Sequence, residues 1–186
     1  HAWPFFEKAR KKGASLMVID PYENRTAQKA DIHIKLRPGT DASLALGIMH
    51  VLVREGLLDE AFIAHQTLGF ELLRPRLDPY GPRRVSAITG VPADQIRALG
   101  LRYGRAHAPY IRTGWGPARQ LKGGMAMRTI ALLPALVGAL GKPGGGITRS
   151  TAPAFAFNIE AVLQESLASS TPRAINMVQL GWALTR

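Results

Sequence analysis

Pro109-Tyr110-Ile111-Arg112-Thr113 runs into Gly114-Trp115-Gly116-Pro117-Ala118-Arg119, then into the apolar stretch Leu121 to Leu140, and closes on Gly141-Lys142-Pro143-Gly144-Gly145-Gly146. Aromatic and β-branched residues, a glycine pair and a long apolar run spell strand, loop and helix, the unit from which α/β sheets are built. Glycines on both sides of the helix let the backbone approach something closely, and what that something is decides the function.

Two templates for such a loop are tested directly. A dinucleotide fingerprint requires a third glycine where Arg119 stands, and a P-loop requires Ser or Thr at Pro143 and Gly at Leu136. Both fail, which disfavours an ordinary nicotinamide enzyme or NTPase.

Upstream, Trp3 to Lys12 is an amphipathic helix stopped by Gly13, and Ala14 to Ile19 is a buried strand that ends at Asp20-Pro21. Ile32, Ile34 and Leu36 alternate with polar residues as a second strand, which stops at Pro38-Gly39. Asp41 to Glu55 reads as a core helix. Shorter helices are expected over Asp59 to Gln66, Phe70 to Leu77 and Arg83 to Ile88, with a longer one over Pro92 to Arg105. The order predicts an open, mainly parallel, Rossmann-like α/β sheet flanked by helices and carrying a helical insertion.

The chain has 186 residues, 46% of them apolar, enough for a real core. It opens on His1, and the apolar segment Ala174 to Leu184 stops without a cap, so it is read as a piece of a longer protein. With no cysteine, these residues supply no disulfide, thiolate ligand or iron–sulfur cluster. The formal charge of +11 is scattered and not interleaved with aromatics, which argues against nucleic-acid binding. The apolar run from Met125 to Gly141 is interrupted by Arg128 and Pro134, which excludes a membrane span there. The histidines His1, His33, His50, His65 and His107 share no metal-ligand spacing and are read as non-catalytic, with His50 a hydrogen-bonded core residue.

Open α/β sheets bind ligands beyond the carboxyl ends of their strands, where Asp20 and Asp41 stand. Asp20 is either an acceptor for ribose hydroxyls or a turn residue bonding its own loop amides, the second reading slightly favoured by position. Thr40 or Asp41 makes an ordinary N-cap, and Asp41 beside free helix amides also offers acceptors to a guanine edge; Thr40 capping while Asp41 faces outward satisfies both.

Val18-Ile19-Asp20-Pro21, Thr26-Ala27, Ala30-Asp31, Leu36 to Asp41 and Leu44 to Gly47 resemble, in order and spacing, the molybdopterin oxidoreductases of the dimethyl sulfoxide reductase and formate dehydrogenase type. The resemblance continues through Glu55 to Asp59, Ile88 to Pro92, Gly114-Trp115-Gly116 with Arg119-Gln120 and Gly123, and Leu136 to Gly146. It implies a nucleotide-binding-like domain over residues 1–146, with 147–186 beginning the next segment, inside the catalytic subunit of a molybdenum or tungsten enzyme. That domain would hold the guanosine and part of the pterin of one molybdopterin guanine dinucleotide. Asp20, Pro21, Tyr22, Glu23 and Asn24 would then line the nucleoside, Gly39, Thr40 and Asp41 would contact guanine and ribose, and Gly114, Trp115, Gly116 and Arg119 would face pterin or pyrophosphate. The family often has Met where Trp115 stands and Gln where Arg119 stands. Residues 147–158 would run toward the metal, and the arginine associated there with formate falls at Thr151, with Arg149 close by, so formate is not supported. The metal ligand and any iron–sulfur cysteines would lie upstream. The partners implied are a small-molecule redox substrate and an iron–sulfur electron-transfer subunit. The alternative is a cofactor-free structural relative within an electron-transfer complex, or a stand-alone basic nucleotide-binding module.

Overall fold

The computed structural model describes residues 3–149, 156–167, 170 and 173–185. The chain divides into two compact units, His1–Arg149 and Ser150–Arg186. In the first, helix α1 (Trp3–Lys11) precedes strand β1 (Met17–Ile19), which pairs in parallel with β2 (Ile32–Ile34) in the register Val18 to His33. Asp31 ties this corner together: its carboxylate accepts from the Leu16 N–H at 2.7 Å and from the Arg10 guanidinium at 2.5 Å.

Helix α2 (Asp41–Arg54) is the hub, as its near-circumferential apolar pattern predicts. It buries Leu44, Ala45, Ile48, Met49, Val51 and Leu52, and packs against α5 (Pro82–Thr89), α6 (Ala93–Arg105) and α7 (Gly123–Leu136). The approach of α6 depends on Gly100, where a Cβ would stand 2.7 Å from Val51. Between α2 and α5, α3 (Glu60–Gln66) and α4 (Phe70–Leu73) lead into a 3-10 helix over Arg74–Tyr80, so the insertion is mainly helical as expected, but the helix expected over Phe70 to Leu77 is α-helical only to Leu73. His50 on α2 is hydrogen-bonded as expected, to the Leu77 carbonyl at 3.0 Å, but it is half-buried at the edge of the core instead of inside it.

Strand β3 (Tyr110–Arg112) forms where expected, and its partner is β4 (Gly146–Thr148), which the sequence pattern did not reveal. The pairing is parallel, with Ile111 opposite Ile147. All these pairs are therefore parallel, but they lie in two separate two-stranded sheets, β1-β2 and β3-β4, where one open sheet was expected. No backbone ladder joins β1 to β3 because a cleft floored by α2, α6 and α7 lies between them. Helix α7 is shorter than the expected Leu121 to Leu140: it ends at Leu136, and the left-handed Gly138 turns the chain into a 3-10 turn, Ala139–Gly141.

In the second unit, α8 (Ile159–Leu163) and α9 (Leu180–Leu184) are short, and their apolar residues are largely exposed. The expected apolar tail therefore breaks into a 3-10 turn, Met177–Gln179, and α9. Thr151 lies outside the described residues. Among the described residues no helix is long and apolar enough to cross a membrane.

Candidate cofactor site

Two long helices begin side by side. Helix α2 starts after Pro38-Gly39-Thr40, and α7 starts after Gln120-Leu121-Lys122. Gly39 adopts φ +84°, and a Cβ there would stand 2.7 Å from Gln120 Oε1, so the two approach loops touch. Neither helix has a side-chain cap. Thr40 occupies the N-cap position, but its hydroxyl donates to the Arg37 carbonyl at 2.6 Å instead of accepting from α2. The expectation that Thr40 caps is therefore corrected: the stem of the Pro38-Gly39 turn takes its hydroxyl. Asp41 is the first helical residue, and among the described residues its carboxylate has no hydrogen-bond or ion-pair partner.

At α7, Gly123 donates to the Gln120 carbonyl at 2.9 Å, while the next amides, Gly124 and Met125, have no acceptor among the described residues. No acidic residue stands in its first turn. Lys122, immediately before the helix, is held at φ +60°, a left-handed conformation costly for a residue with a Cβ. Uncapped helix amides with a flanking cation attract an anion.

The glycine loop sits at the same end. Gly114 and Gly116 have ordinary φ values, and a Cβ on either would meet no protein atom within 4 Å. Neither the backbone conformation nor the packing of this chain requires glycine at these positions. Beside them, the exposed Trp115 ring carries two guanidinium groups, Arg149 at 4.3 Å and Arg119 at 6.0 Å from its centroid. Arg149 Nε is buried without a hydrogen-bond partner among the described residues.

The expected nucleoside side is occupied differently. Asp20 accepts from the Tyr22 N–H at 2.8 Å and from the Asn24 side chain at 3.1 Å, so both its oxygens serve their own turn. Asn24 in turn accepts from the Thr26 and Ala27 amides. Glu23 pairs with Lys35 at 2.8 Å on the surface, and that ammonium holds its carboxyl below the ordinary value. Pro21 and Tyr22 are exposed. The fold thus brings Gly39, Thr40, Asp41, Gly114 and Gln120 to one end of the α2–α7 pair, with Trp115 and Arg119 in the adjoining loop. The Asp20 to Asn24 turn follows β1, whose Ile19 faces the same cleft as Asp41 and Gly114.

Gln120, Lys122, Gly124 and Arg149 lie at this end of the fold without having been expected as candidate site residues. Lys122-Gly123-Gly124 ahead of an apolar run, with no acid in the first turn, was the available signal for the free helix start. Arg149 was noted only for lying close to Thr151 in the segment expected to approach the metal, and the parallel pairing of β4 with β3 is what brings it near Trp115.

Residues 5–179 match the family model described as molybdopterin oxidoreductase. The chain belongs to the molybdopterin oxidoreductase family. It is 44% identical over 185 residues to the probable oxidoreductase YoaE of Bacillus subtilis, an alignment spanning 99% of this chain and 27% of that protein. It is 37% identical over 140 residues to the F420-dependent formate dehydrogenase 1 subunit alpha of Methanococcus maripaludis, covering 75% of this chain and 21% of that one. Among solved structures it is similar to the acetylene hydratase of Pelobacter acetylenicus, with a TM-score of 0.68, 34% identity, and coverage of 72% of this chain and 18% of the other. The chain thus spans about a quarter of the length of these molybdopterin-family relatives.

Proposed function

We propose that this molybdopterin oxidoreductase segment belongs to the catalytic subunit of a molybdenum or tungsten enzyme and binds the guanosine and part of the pterin of one molybdopterin guanine dinucleotide. The observation that carries the reading is the meeting of two uncapped helix starts at Gly39 and Gln120, beside glycines that the fold itself does not need.

The residues fit such a group. The free α7 amides with Lys122, Arg119 and Arg149 suit a pyrophosphate, and the open backbone at Gly114 and Gly116 admits a flat ring system at close range. The unpartnered Asp41 carboxylate suits the paired N–H donors of guanine. Asp20 supports it indirectly, by fixing the turn that follows β1. When bound, the metal–pterin would supply two-electron redox chemistry, and this chain would orient it and neutralise its charge. Among the described residues no group of three His, Cys, Asp or Glu side chains is placed to hold a metal ion.

The relatives' names extend the proposal to a small-molecule redox substrate and, through the relative designated subunit alpha, to partner subunits that carry electrons. The test is metal and nucleotide analysis of the anaerobically purified full-length protein and its Asp41→Ala variant. We expect molybdenum or tungsten with guanine nucleotide in the parent protein and at least a several-fold loss of guanine nucleotide in the variant. Absence of metal and guanine nucleotide from the parent would instead favour a cofactor-free structural relative.

A further inference from the structure

Positive charge that is scattered along the sequence is gathered by the fold at the amino end of β1. A groove of about 740 Å³ lies there, recessed between the last turn of α1 and the last turn of α6. The Arg102 guanidinium donates to the Ser15 hydroxyl at 3.4 Å, a contact between residues 87 apart in the chain. Arg10, Lys11 and Arg102 line the groove, and Lys8, Lys12 and Arg105 flank it, Lys8 and Arg105 one turn away on the same two helices. Its carboxylates already have partners: Asp31 accepts from Arg10 and from the Leu16 N–H, and Glu7 accepts from the Trp3 indole at 2.6 Å. Lys8, Lys11, Lys12 and Arg105 are exposed and have no hydrogen-bond or ion-pair partner among the described residues. Against these four cations with Arg10 and Arg102 stand only Glu7 and Asp31, a surplus of four positive charges. Helix carboxyl ends attract cations, but two of them together offset only about one charge. The fold therefore concentrates more positive charge here than its own structure uses.

We propose that this groove docks an acidic segment of a partner protein, whose carboxylates pair with Lys11 and Arg102. Charge complementarity sets the sign of the occupant, and the surroundings set its class. An interfacial helix lays a continuous apolar face into a bilayer, whereas of the α1 aromatics only Phe5 stands out; Trp3 and Phe6 pack on one another, with Lys29 over the Trp3 ring. No aromatic side chain lines the groove to stack on bases. What the groove offers suits a polypeptide. Its wall of Gly13, Ala14 and Ser15 has small side chains that admit a chain at close range, and the Ser15 N–H has no acceptor among the described residues. The Arg102 guanidinium and that amide then form one donor set for a carboxylate, a charge-assisted arrangement. Docking here is independent of the cofactor proposed at the carboxyl end of β1.

The test is fluorescence anisotropy of a fluorescein-labelled oligoglutamate peptide with the full-length protein. We expect the parent to bind it, and Lys11→Glu combined with Arg102→Glu to weaken binding by about tenfold or more. Lys11→Gln with Arg102→Gln removes the two cations without reversing them and should give a smaller loss in the same direction. Arg83→Glu with Arg84→Glu, an equal charge change on exposed residues of α5, should leave the affinity within about twofold. No binding by the parent, or equal weakening by the α5 reversal, would overturn the proposal. Vesicles of phosphatidylcholine with phosphatidylglycerol are the second probe, and they are expected not to retain the protein. Sedimentation with them that the Lys11 and Arg102 reversal abolishes would assign the surface to a membrane and refute the protein partner.

Discussion

Gly39 and Gln120 are in contact across the start of two helices: a Cβ on Gly39 would stand 2.7 Å from Gln120 Oε1, and Gly39 holds φ +84°. The loop before α2 and the loop before α7 are therefore set against one another by a glycine that satisfies two constraints at once. Gly39→Ala should cost about 1–2 kcal/mol from the left-handed backbone alone, with more from the clash. Adding Gln120→Ala should recover only the steric part, a non-additivity read by denaturation of the two single variants and the double. A neutral Gly39→Ala would show that the loops are not coupled as described.

Gly114 and Gly116 make the opposite case. Because an added Cβ meets no protein atom and neither φ is positive, Gly114→Ala and Gly116→Ala should change stability by less than about 0.5 kcal/mol. Cofactor retention should fall in both. Gly100→Ala is the control: its Cβ would press on Val51, so it should lower stability by about 1–3 kcal/mol through overpacking. Equal cofactor loss in all three variants would refute a specific role for the loop.

Much of this arrangement was legible in the sequence. The core helix after Pro38-Gly39-Thr40 begins at Asp41 as its pattern dictates, because apolar residues round most of its circumference leave no other packing. Strands β1, β2 and β3 fall within the expected runs, shortened at their ends. What was not legible depends on long-range pairing. Gly146-Ile147-Thr148 is too short and too glycine-rich to show a strand period, and becomes β4 only through β3. The single open sheet was inferred from alternation, which cannot reveal that a cleft separates β1 from β3. At the site, Asp41 and the glycine loop were visible as residue types, whereas Thr40's hydroxyl was assigned to the wrong partner because its competitor, the Arg37 carbonyl, is supplied by the turn.

Asp31 gives a pH-dependent prediction. The Leu16 N–H and then the Arg10 guanidinium hold its carboxyl below the ordinary 3.8. A depressed folded value means that its contribution is complete above pH 3.8 and is lost as the pH falls through the lower folded value. Carboxyl-detected NMR titration should place Asp31 below 3.8, and Arg10→Ala should raise it toward that value without reaching it, since the Leu16 bond remains. An unshifted Asp31 would show that the α1–β1 corner is not tied as described.

Lys122 separates stability from binding. It stands at φ +60° directly before α7, a conformation that costs a residue with a Cβ about 1–2 kcal/mol and that glycine adopts freely. It carries the cation nearest in sequence to the unpaired Gly124 and Met125 amides. Lys122→Gly should therefore stabilise the protein by about 0.5–1 kcal/mol, the relieved strain being partly offset by the greater entropy of glycine in the unfolded chain. The same change should weaken cofactor retention by removing a charge from the anion-facing end of the helix. Lys122→Ala isolates the charge, because it keeps the Cβ strain and loses only the ammonium. If the strain is held for binding, both variants lose cofactor and only the glycine variant gains stability. Should Lys122→Gly gain stability with cofactor content intact, Lys122 would be a strained turn residue and the pyrophosphate assignment would rest on Arg119 and Arg149 alone.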